Sequence, residues 1–371
     1  MIEQTKRYEF RPKTALRAAN SVRRFCRRLV VLGLIGFLPI CTTARAQVFR
    51  AYAGEFLGLG VGARSLALGG SAVAISDDVT AGYWNPAGLT SLNYPSISGM
   101  HETRFDNTVQ YNFGAFAMPI GATGSIALTV LQLGIDNIKD TRAAWIDLNH
   151  DGRFNGEDYI DYTKVTSFGN YDWSFLLSYA KMADSSNTLS YGASAKFILR
   201  KLDQQNSATG LGVDVGVRYK PFDRLALGVV ARDLTSTLLS YTSGEKELVA
   251  PSLNVGGAYY WYLTSDGYHK IVPTAQLDFR FDGLGAIAPV HLGPISVNYH
   301  VGAEYQFGQI FAIRGGYNDM QQISIGAGIQ LPKLHIDYSF LSFSQQDQLG
   351  NTHRISFAFT LEQPNLRRVS E

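Results

Sequence analysis

The sequence predicts an all-β fold, specifically a transmembrane antiparallel β-barrel of about 14 strands with an N-terminal plug segment. The 371 residues include 37 Gly, 20 Tyr and 21 Phe but only 17% charged residues, a composition typical of strands and tight turns. From about residue 96 onward, apolar and polar side chains alternate in segments of about 9–12 residues, the length that a tilted strand needs to cross a bilayer. A hydrophobic fraction of 46% at a net charge of only +2 excludes a disordered chain.

Residues 1–46 have the pattern of a cleaved signal peptide. Basic residues crowd toward Arg27 and Arg28, an apolar stretch runs from Leu29 to Ile40, and Ala44-Arg45-Ala46 precedes Gln47. The apolar stretch is shorter than the roughly 20 residues of a membrane-spanning helix. We therefore expect export and cleavage before Gln47, with a short membrane anchor as the alternative.

Loss of this signal changes the charge of the chain. Residues 1–46 carry ten basic and two acidic side chains, so 23 basic and 29 acidic side chains remain and the net charge becomes −6. The basic excess leaves with the signal, and we predict no nucleic-acid partner. Cys26 and Cys41 leave as well, so the mature fold is expected to hold without disulfides.

Alternation is clearest in the last third of the chain. In 322–331, the side chains of Ile323, Ile325 and Ile329 share one face, while Ser324 and Gln330 share the other. Charged side chains elsewhere also fall opposite an apolar stripe: Asp214, Arg218, Asp278, Arg280, Glu304 and Arg314. A membrane barrel accommodates both faces, since the apolar stripe contacts lipid and the polar stripe lines the lumen. A periplasmic β-sandwich or propeller is the alternative. Its dry core could face only one of the two stripes, and the apolar stripe would be exposed to water if the charged one turned inward.

The alternation predicts strands at 96–102, 108–119, 124–135, 171–181, 189–202, 210–220, 225–233, 252–262, 270–281, 296–307, 310–317, 322–331, 334–342 and 353–361. Short turns alternate with longer connections at 136–170, 234–251 and 343–352. Outer-membrane barrels have short turns on one side and long extracellular loops on the other. We expect residues 47–95 to form the plug, 96–361 the barrel, with the calcium-loop insertion described below at about 136–170, and 362–371 a polar tail.

The segment before the barrel does not alternate and is rich in Gly and Ala. Asn85 is suited to cap a helix that begins at Pro86, and Gly88 permits a tight exit. Ten residues of three short runs define the motif: Gly62, Arg64, Gly69, Gly70, Asp77, Asp78, Trp84, Asn85, Pro86 and Gly88. This stretch resembles the plug of PorV/PorQ-type proteins, relatives of the long-chain fatty-acid transporter (FadL) family. The resemblance implies a plugged barrel of fourteen strands; an ordinary lead-in to the first strand is the alternative.

A candidate calcium loop lies in the longest predicted connection. Oxygen donors stand at positions 1, 3, 5, 9 and 12 of a twelve-residue loop, with Gly152 at position 6 and a backbone carbonyl at position 7. The candidate ligands are Asp147, Asn149, Asp151, Arg153, Asn155 and Asp158. The loop is similar to the dockerin variant of the EF-hand, which ends in Asp. Its flanks lack amphipathic helices, so Ca²⁺ is expected as a structural ion, with an Asx-rich turn as the alternative.

No enzyme motif stands out in the sequence. His300 and Glu304 share a predicted lumen face, but there is no nucleophile motif, and we expect a protein that is not an enzyme. The resemblance implies a Gram-negative outer-membrane protein with lipid around it. Two functions follow from that resemblance: a plugged channel that passes a hydrophobic small molecule sideways through its wall, or a type IX secretion component that holds cargo and secretion-system proteins. The oligomeric state does not follow from the sequence.

Overall fold

The computed structural model describes residues 54–105, 108–184, 187–202, 206–283, 290–342 and 351–369. The predicted signal peptide lies outside the described residues. Within them, fourteen long antiparallel strands form one sheet that closes on itself, because the first strand pairs with the last from Ser96 with Thr360 to Thr103 with His353. The predicted closed antiparallel barrel of 14 strands is confirmed.

The fourteen strands are numbered in chain order. They are β1 (Ser96–Arg104), β2 (Val109–Ile120), β3 (Gly124–Asp140), β4 (Thr166–Met182), β5 (Leu189–Lys201), β6 (Ser207–Phe222), β7 (Leu225–Arg232), β8 (Ser252–Tyr259), β9 (Lys270–Arg280), β10 (Ile295–Phe307), β11 (Phe311–Asn318), β12 (Ile323–Gln330), β13 (Leu334–Ser342) and β14 (Thr352–Thr360).

The two faces of the sheet differ as the alternation predicts. In β12 the outward Ile323 and Ile325 are 59% and 54% exposed, whereas the inward Ser324 is buried. Four predicted lumen residues are buried on the inner face. Asp214 and Arg218 lie on β6, Glu304 lies on β10 and Arg314 lies on β11. The outer face is thus an apolar surface suited to lipid, and closure pairs the first strand with the last.

The two ends of the barrel carry different connections. One end, called the short-turn end below, holds the tight turns, such as 121–123 and 331–333. The other, called the long-loop end, holds the connections 141–165 and 233–251. Two predicted boundaries are wrong by five residues: β3 reaches Asp140 and β4 starts at Thr166, because these strands continue pairing beyond the alternating part. The predicted connection 136–170 is therefore shorter.

The described part of the wall is interrupted beside the end of β7. β7 ends at Arg232, and residues 233–236 form a tight bend in which Asp233 and Ser236 have positive φ angles of 50° and 55°. A hairpin of Thr237–Tyr241 and Lys246–Val249 then pairs with Ala208–Leu211 at the start of β6. Part of the connection predicted at 234–251 is thus a hairpin that belongs to the barrel wall. The bend at 233–236 separates this hairpin from β7.

No helix among the described residues is long and apolar enough to cross a membrane. The helical elements are short: 3₁₀ turns at Glu55–Gly58, Pro86–Ser91, Tyr162–Lys164 and Pro364–Leu366, and α-helices α1 (Ala63–Ala67) and α2 (Ala81–Trp84). Residues 54–95, called the plug segment below, contact inward-facing side chains around the barrel. α1 packs against β11 to β14, whereas Pro86–Ser91 packs against β3 to β6. The plug segment therefore lies inside the lumen.

Candidate functional site: the plug segment and the cavities around it

The Asn85–Gly88 corner attaches the plug segment to β6. Asn85 Oδ1 accepts a hydrogen bond from Ala87 N at 3.1 Å, as the expected helix cap, and Asn85 Nδ2 donates to Val73 O at 2.9 Å and to Val217 O at 3.1 Å. Pro86 begins the 3₁₀ turn. Gly88 lies against Ser76 O, where a Cβ atom would have no room. One amide side chain thus joins two parts of the plug segment to the wall.

An apolar seam joins the plug segment to β1 through β5. Trp84 and Tyr83 form an edge-to-face pair with ring centroids 5.0 Å apart, and Trp84 Nε1 donates to Val61 O at 2.9 Å. These rings belong to a buried cluster whose wall members include Met100, Tyr111, Phe113, Leu131, Leu176 and Ile198. Burial of this many side chains is a large hydrophobic contribution, so displacement of the whole plug segment is energetically costly.

A glycine-lined socket receives the opposite side of the plug segment. The corner Leu68–Gly69 lies against two inward glycines: a Cβ on Gly302 would stand 2.6 Å from Leu68 O, and one on Gly316 would stand 2.8 Å from Leu68 Cα. Gly69 itself has φ +69°, and its own Cβ would lie 2.8 Å from Tyr317 N. Backbone therefore packs directly on backbone, which requires glycine on both sides. Gly70 follows, with φ +87°, beside the His300 ring.

A buried ion network crosses from α1 to the wall. Arg64 Nε and Nη2 donate to the two Glu304 oxygens at 3.0 and 3.2 Å, and Arg64 Nη1 donates to Asp77 at 2.9 Å. Arg314 donates to Glu304 and to Asp337, each at 2.6 Å. His300 instead bonds Gly69 O at 2.7 Å and pairs with Asp278 at 3.2 Å. His300 and Glu304, which the sequence places on one lumen face, therefore make contacts with different partners.

Asp77 and Asp78 are adjacent in the plug segment but differ in proton affinity. Burial raises the pKa of Asp78, although its oxygen accepts hydrogen bonds from Thr80 N and Thr80 Oγ1. Burial acts on Asp77 in the same direction, but the positive charges of Arg64, Arg218 and Lys220 together outweigh it, so the pKa of Asp77 is lowered. Asp77 is therefore the ionised partner of Arg64.

A cavity of about 380 Å³ lies on the long-loop side of the plug segment. Its floor is apolar, formed by Leu57, Leu59, Leu66, Tyr83, Trp84 and Leu176. Around the floor stand charged residues, most of them paired with each other. Arg232 differs in this respect: its guanidinium stacks 4.7 Å from the Tyr83 centroid and donates to Tyr83 O and Trp84 O at 3.3 and 3.5 Å. A second recess of about 310 Å³, lined by Arg64, Asp77 and Asp78, lies on the other side of α1.

A depression of about 440 Å³ faces outward at the break in the wall. It is lined by outward apolar side chains of β3 to β6, with Gly212, Thr235 and Lys196. Lys196 also lines the inner cavity, where its Nζ lies 3.0 Å from Asp214 and 2.8 Å from Asp233. Asp233 N donates to Asp214 at 2.8 Å. This three-residue cluster therefore lies where the inner cavity and the outer depression approach each other.

The candidate calcium loop curls as an Asx-rich hairpin. Gly152 N donates to Asp147 Oδ2 at 2.9 Å, Leu148 N donates to Asp158 Oδ1 at 3.2 Å, and Arg153 N donates to Asp151 Oδ1 at 2.7 Å. The amides of Asn149 and Asn155 both donate to Asp151 Oδ2 at 3.1 and 3.0 Å. The pair Trp145–Ile146 and Tyr159–Ile160 closes the loop. Among the described residues, no group of three or more His, Cys, Asp or Glu side chains is arranged to hold a metal ion. Calcium binding stays a prediction.

Several contacts escaped the sequence reasoning. The clearest is Lys196, a charged residue that follows the small inward residues Ser190, Gly192 and Ser194 of β5; that contrast was a signal that could have been used. Arg232 and Asp233 were placed at a strand end, where the sequence gives no indication that the wall bends. Their partners lie far away in the chain, so no local pattern connects them.

Comparisons with solved structures find the same fold. The toluene transporter TbuX of Ralstonia pickettii aligns with a TM-score of 0.54 at 13% identity, over 82% of this chain and 99% of that one. The toluene transporter TodX of P. putida gives 0.54 at 12% identity over the same shares, and the CymD monoaromatic hydrocarbon channel gives 0.50 at 14%, over 82% and 98%. No protein-family model and no curated protein matches the chain. The described barrel therefore has the fold of these transporters.

Proposed function

We propose that this protein is an outer-membrane channel that carries hydrophobic small molecules through a barrel occupied by its plug segment. The observation that carries this proposal is the cavity of about 380 Å³ with an apolar floor, held inside a closed barrel whose outer surface is also apolar. Solved barrels of the same fold are named as toluene transporters. The fold likeness supports a channel and not an enzyme.

The cavity has a suitable size and lining for such a ligand. Pockets for small molecules range from about 300 to 1,000 Å³ and are mostly apolar with a few polar groups. Leu57, Leu66 and Trp84 supply apolar surface, and the Arg232 guanidinium borders it. A small hydrophobic molecule would therefore exchange water for side-chain contacts when it enters from the long-loop end, which we propose is extracellular.

Exit through the side of the barrel is the second part of the proposal. The inner cavity and the outer depression share Lys196 as a lining residue, and the outer depression opens toward lipid beside the bend at 233–236. The apolar seam opposes passage along the barrel axis. A molecule that took this path would have to separate buried side chains of the plug segment from the wall. Rearrangement of the Lys196, Asp214 and Asp233 cluster would open the shorter path into the bilayer.

The finer assignments rest on the motif residues. We propose a PorV/PorQ-type plug, because Asn85 and Pro86 form the expected capped corner and Arg64 and Gly69 anchor the segment in the lumen. The outer membrane is the proposed location, reached through the signal peptide at 1–46, with lipid around the barrel. None of the comparisons supports a role as a type IX secretion component.

The test is to purify the protein from its native outer membrane in mild detergent and identify bound molecules by mass spectrometry. A stoichiometric apolar molecule supports the proposal. Large secretion-system subunits or exported proteins in its place would contradict the channel function and favour a secretion component. A preparation with neither an apolar molecule nor a protein partner would also count against the channel.

A cavity-filling variant makes this test specific. A Cβ on Gly58 would meet no atom within 4 Å, and Gly58 lines the inner cavity, so Gly58→Trp is expected to fill it without a backbone clash. Gly114 also has open space and lies on the outer face of β2, so Gly114→Trp is the matched control. We expect the bound molecule to be lost from the first variant and kept in the second.

A further inference from the structure

The chain does not end with its last strand. After Thr360, residues 361–369 turn back across the short-turn end, where Leu361 N donates to Pro95 O at 2.8 Å and Arg368 N donates to Asn93 O at 2.7 Å. The tail therefore runs beside residues 92–95, the connection by which the plug segment continues into β1. This connection is the covalent link by which the plug segment joins the barrel.

Arg368 makes the main side-chain contacts of this tail. Its Nε and Nη2 donate to Leu92 O at 3.0 and 2.7 Å, and its Nη2 also donates to Thr90 O at 3.2 Å. On the other side, Nη1 donates to Ala122 O at 3.2 Å and to Gly124 O at 2.8 Å. The guanidinium thus bridges two backbone segments that no strand pairing connects directly.

The acceptors explain why an arginine is needed. Thr90 lies at the end of the 3₁₀ turn Pro86–Ser91 and Leu92 follows it, and the last carbonyls of such a turn have no partner within it. The planar guanidinium of arginine carries five N–H donors and can donate to carbonyls on two sides at once. A lysine ammonium, with three donors on one nitrogen, does this less well. Ser125 Oγ completes the arrangement: it accepts from Arg368 Nη2 at 2.7 Å and donates to Leu89 O at 2.9 Å.

We propose that the C-terminal tail is a latch on the plug segment, in which Arg368 fixes the hinge at 90–95 against the turn between β2 and β3. The latch holds the exit of the plug segment at the short-turn end, independently of what the channel carries. Any rearrangement of the plug segment that swings on this hinge must first release Arg368.

The experiment is hydrogen exchange of the full-length protein in detergent, followed by mass spectrometry of the peptide that covers 86–95. Arg368→Ala is expected to raise exchange in this peptide at least about tenfold, which corresponds to a loss of about 1.4 kcal/mol in local protection. Arg367→Ala is the matched control, because the neighbouring Arg367 side chain is exposed. Peptides of the strands β8 to β12 should be unchanged in both variants.

Arg368→Lys provides a second variant, since it keeps the charge and favours assembly if the alanine variant fails to fold. Its exchange should fall between the wild type and the alanine variant. Equal exchange at 86–95 in wild type, Arg368→Ala and Arg367→Ala would overturn the proposal, as would an Arg368→Lys protein indistinguishable from the wild type. Heat-dependent gel mobility confirms that each barrel is folded.

Discussion

Replacement of Glu304 by Gln is the sharpest test of the ion network between plug segment and wall. Glu304 accepts three hydrogen bonds from two guanidinium groups, at 2.6, 3.0 and 3.2 Å, and its side chain is only 3% exposed. Removing one partner of a buried ion pair costs about 3–5 kcal/mol, because the other charge stays buried without compensation. Gln keeps one acceptor oxygen, and Arg314 keeps Asp337, so we expect the lower end, about 3 kcal/mol.

The assay is equilibrium unfolding by urea in lipid vesicles, monitored by tryptophan fluorescence, in which Trp84 reports on the plug segment. A loss of about 3 kcal/mol is roughly a hundredfold change in the unfolding equilibrium constant. Glu55→Gln is the matched control: Glu55 pairs with Arg280 at 2.9 Å, and both side chains are more than a third exposed. Solvent screening limits that pair to about 1 kcal/mol or less.

Two outcomes would refute the reasoning. If Glu304→Gln is no more destabilising than Glu55→Gln, the buried network contributes nothing beyond a surface pair. If Glu304→Gln is more stable than the wild type, desolvation of the charges exceeds their attraction, and the plug segment is held by the apolar seam and the glycine socket alone.

Three further predictions concern the glycine socket, the apolar seam and the long loop. Gly316→Ala should expel the Leu68 corner and raise ion conductance in planar bilayers, whereas Gly315→Ala, whose Cβ would find its nearest atom at 4.0 Å, should conduct as the wild type does; equal conductance would contradict the socket. Trp84→Ala should destabilise the protein to urea by about 3–5 kcal/mol, as truncations of buried aromatic residues do, and a loss below about 1 kcal/mol would contradict its role in the seam. Ca²⁺ at about 1 mM should protect 147–158 from protease, and Asp151→Asn should abolish that protection; identical digestion with Ca²⁺ and with a chelator would reject the calcium site.

The fourteen strands were predictable because the alternation that specifies a membrane strand is local. Each inward or outward position is set by its neighbours two residues away, as Ile323, Ser324 and Ile325 show. The predicted strand boundaries were wrong where the alternation of inward and outward side chains ends. The extension of β3 to Asp140 lies beyond the alternating part, where polar side chains can face either way, and the hairpin at 237–249 is too short to give a pattern.

The candidate site was predictable only where its chemistry is local. The Asn85 cap and the Pro86 start depend on adjacent residues, and both were identified from the sequence. The contacts that fix the plug segment in the barrel join residues far apart in the chain: Arg64 with Glu304, and Gly69 with Tyr317. No period or spacing in a single sequence encodes such pairs, because they depend on how the barrel closes.

Uptake of radiolabelled toluene by intact Gram-negative cells tests the proposed channel most directly. Cells expressing the wild type or the outer-face control Gly114→Trp should take up toluene faster than cells without the protein. Cells expressing Gly58→Trp at the same level in the outer membrane should show no increase, because the inner cavity is filled. Uptake by the Gly58→Trp cells equal to that of the wild type, or no increase with any of the three proteins, would contradict the account.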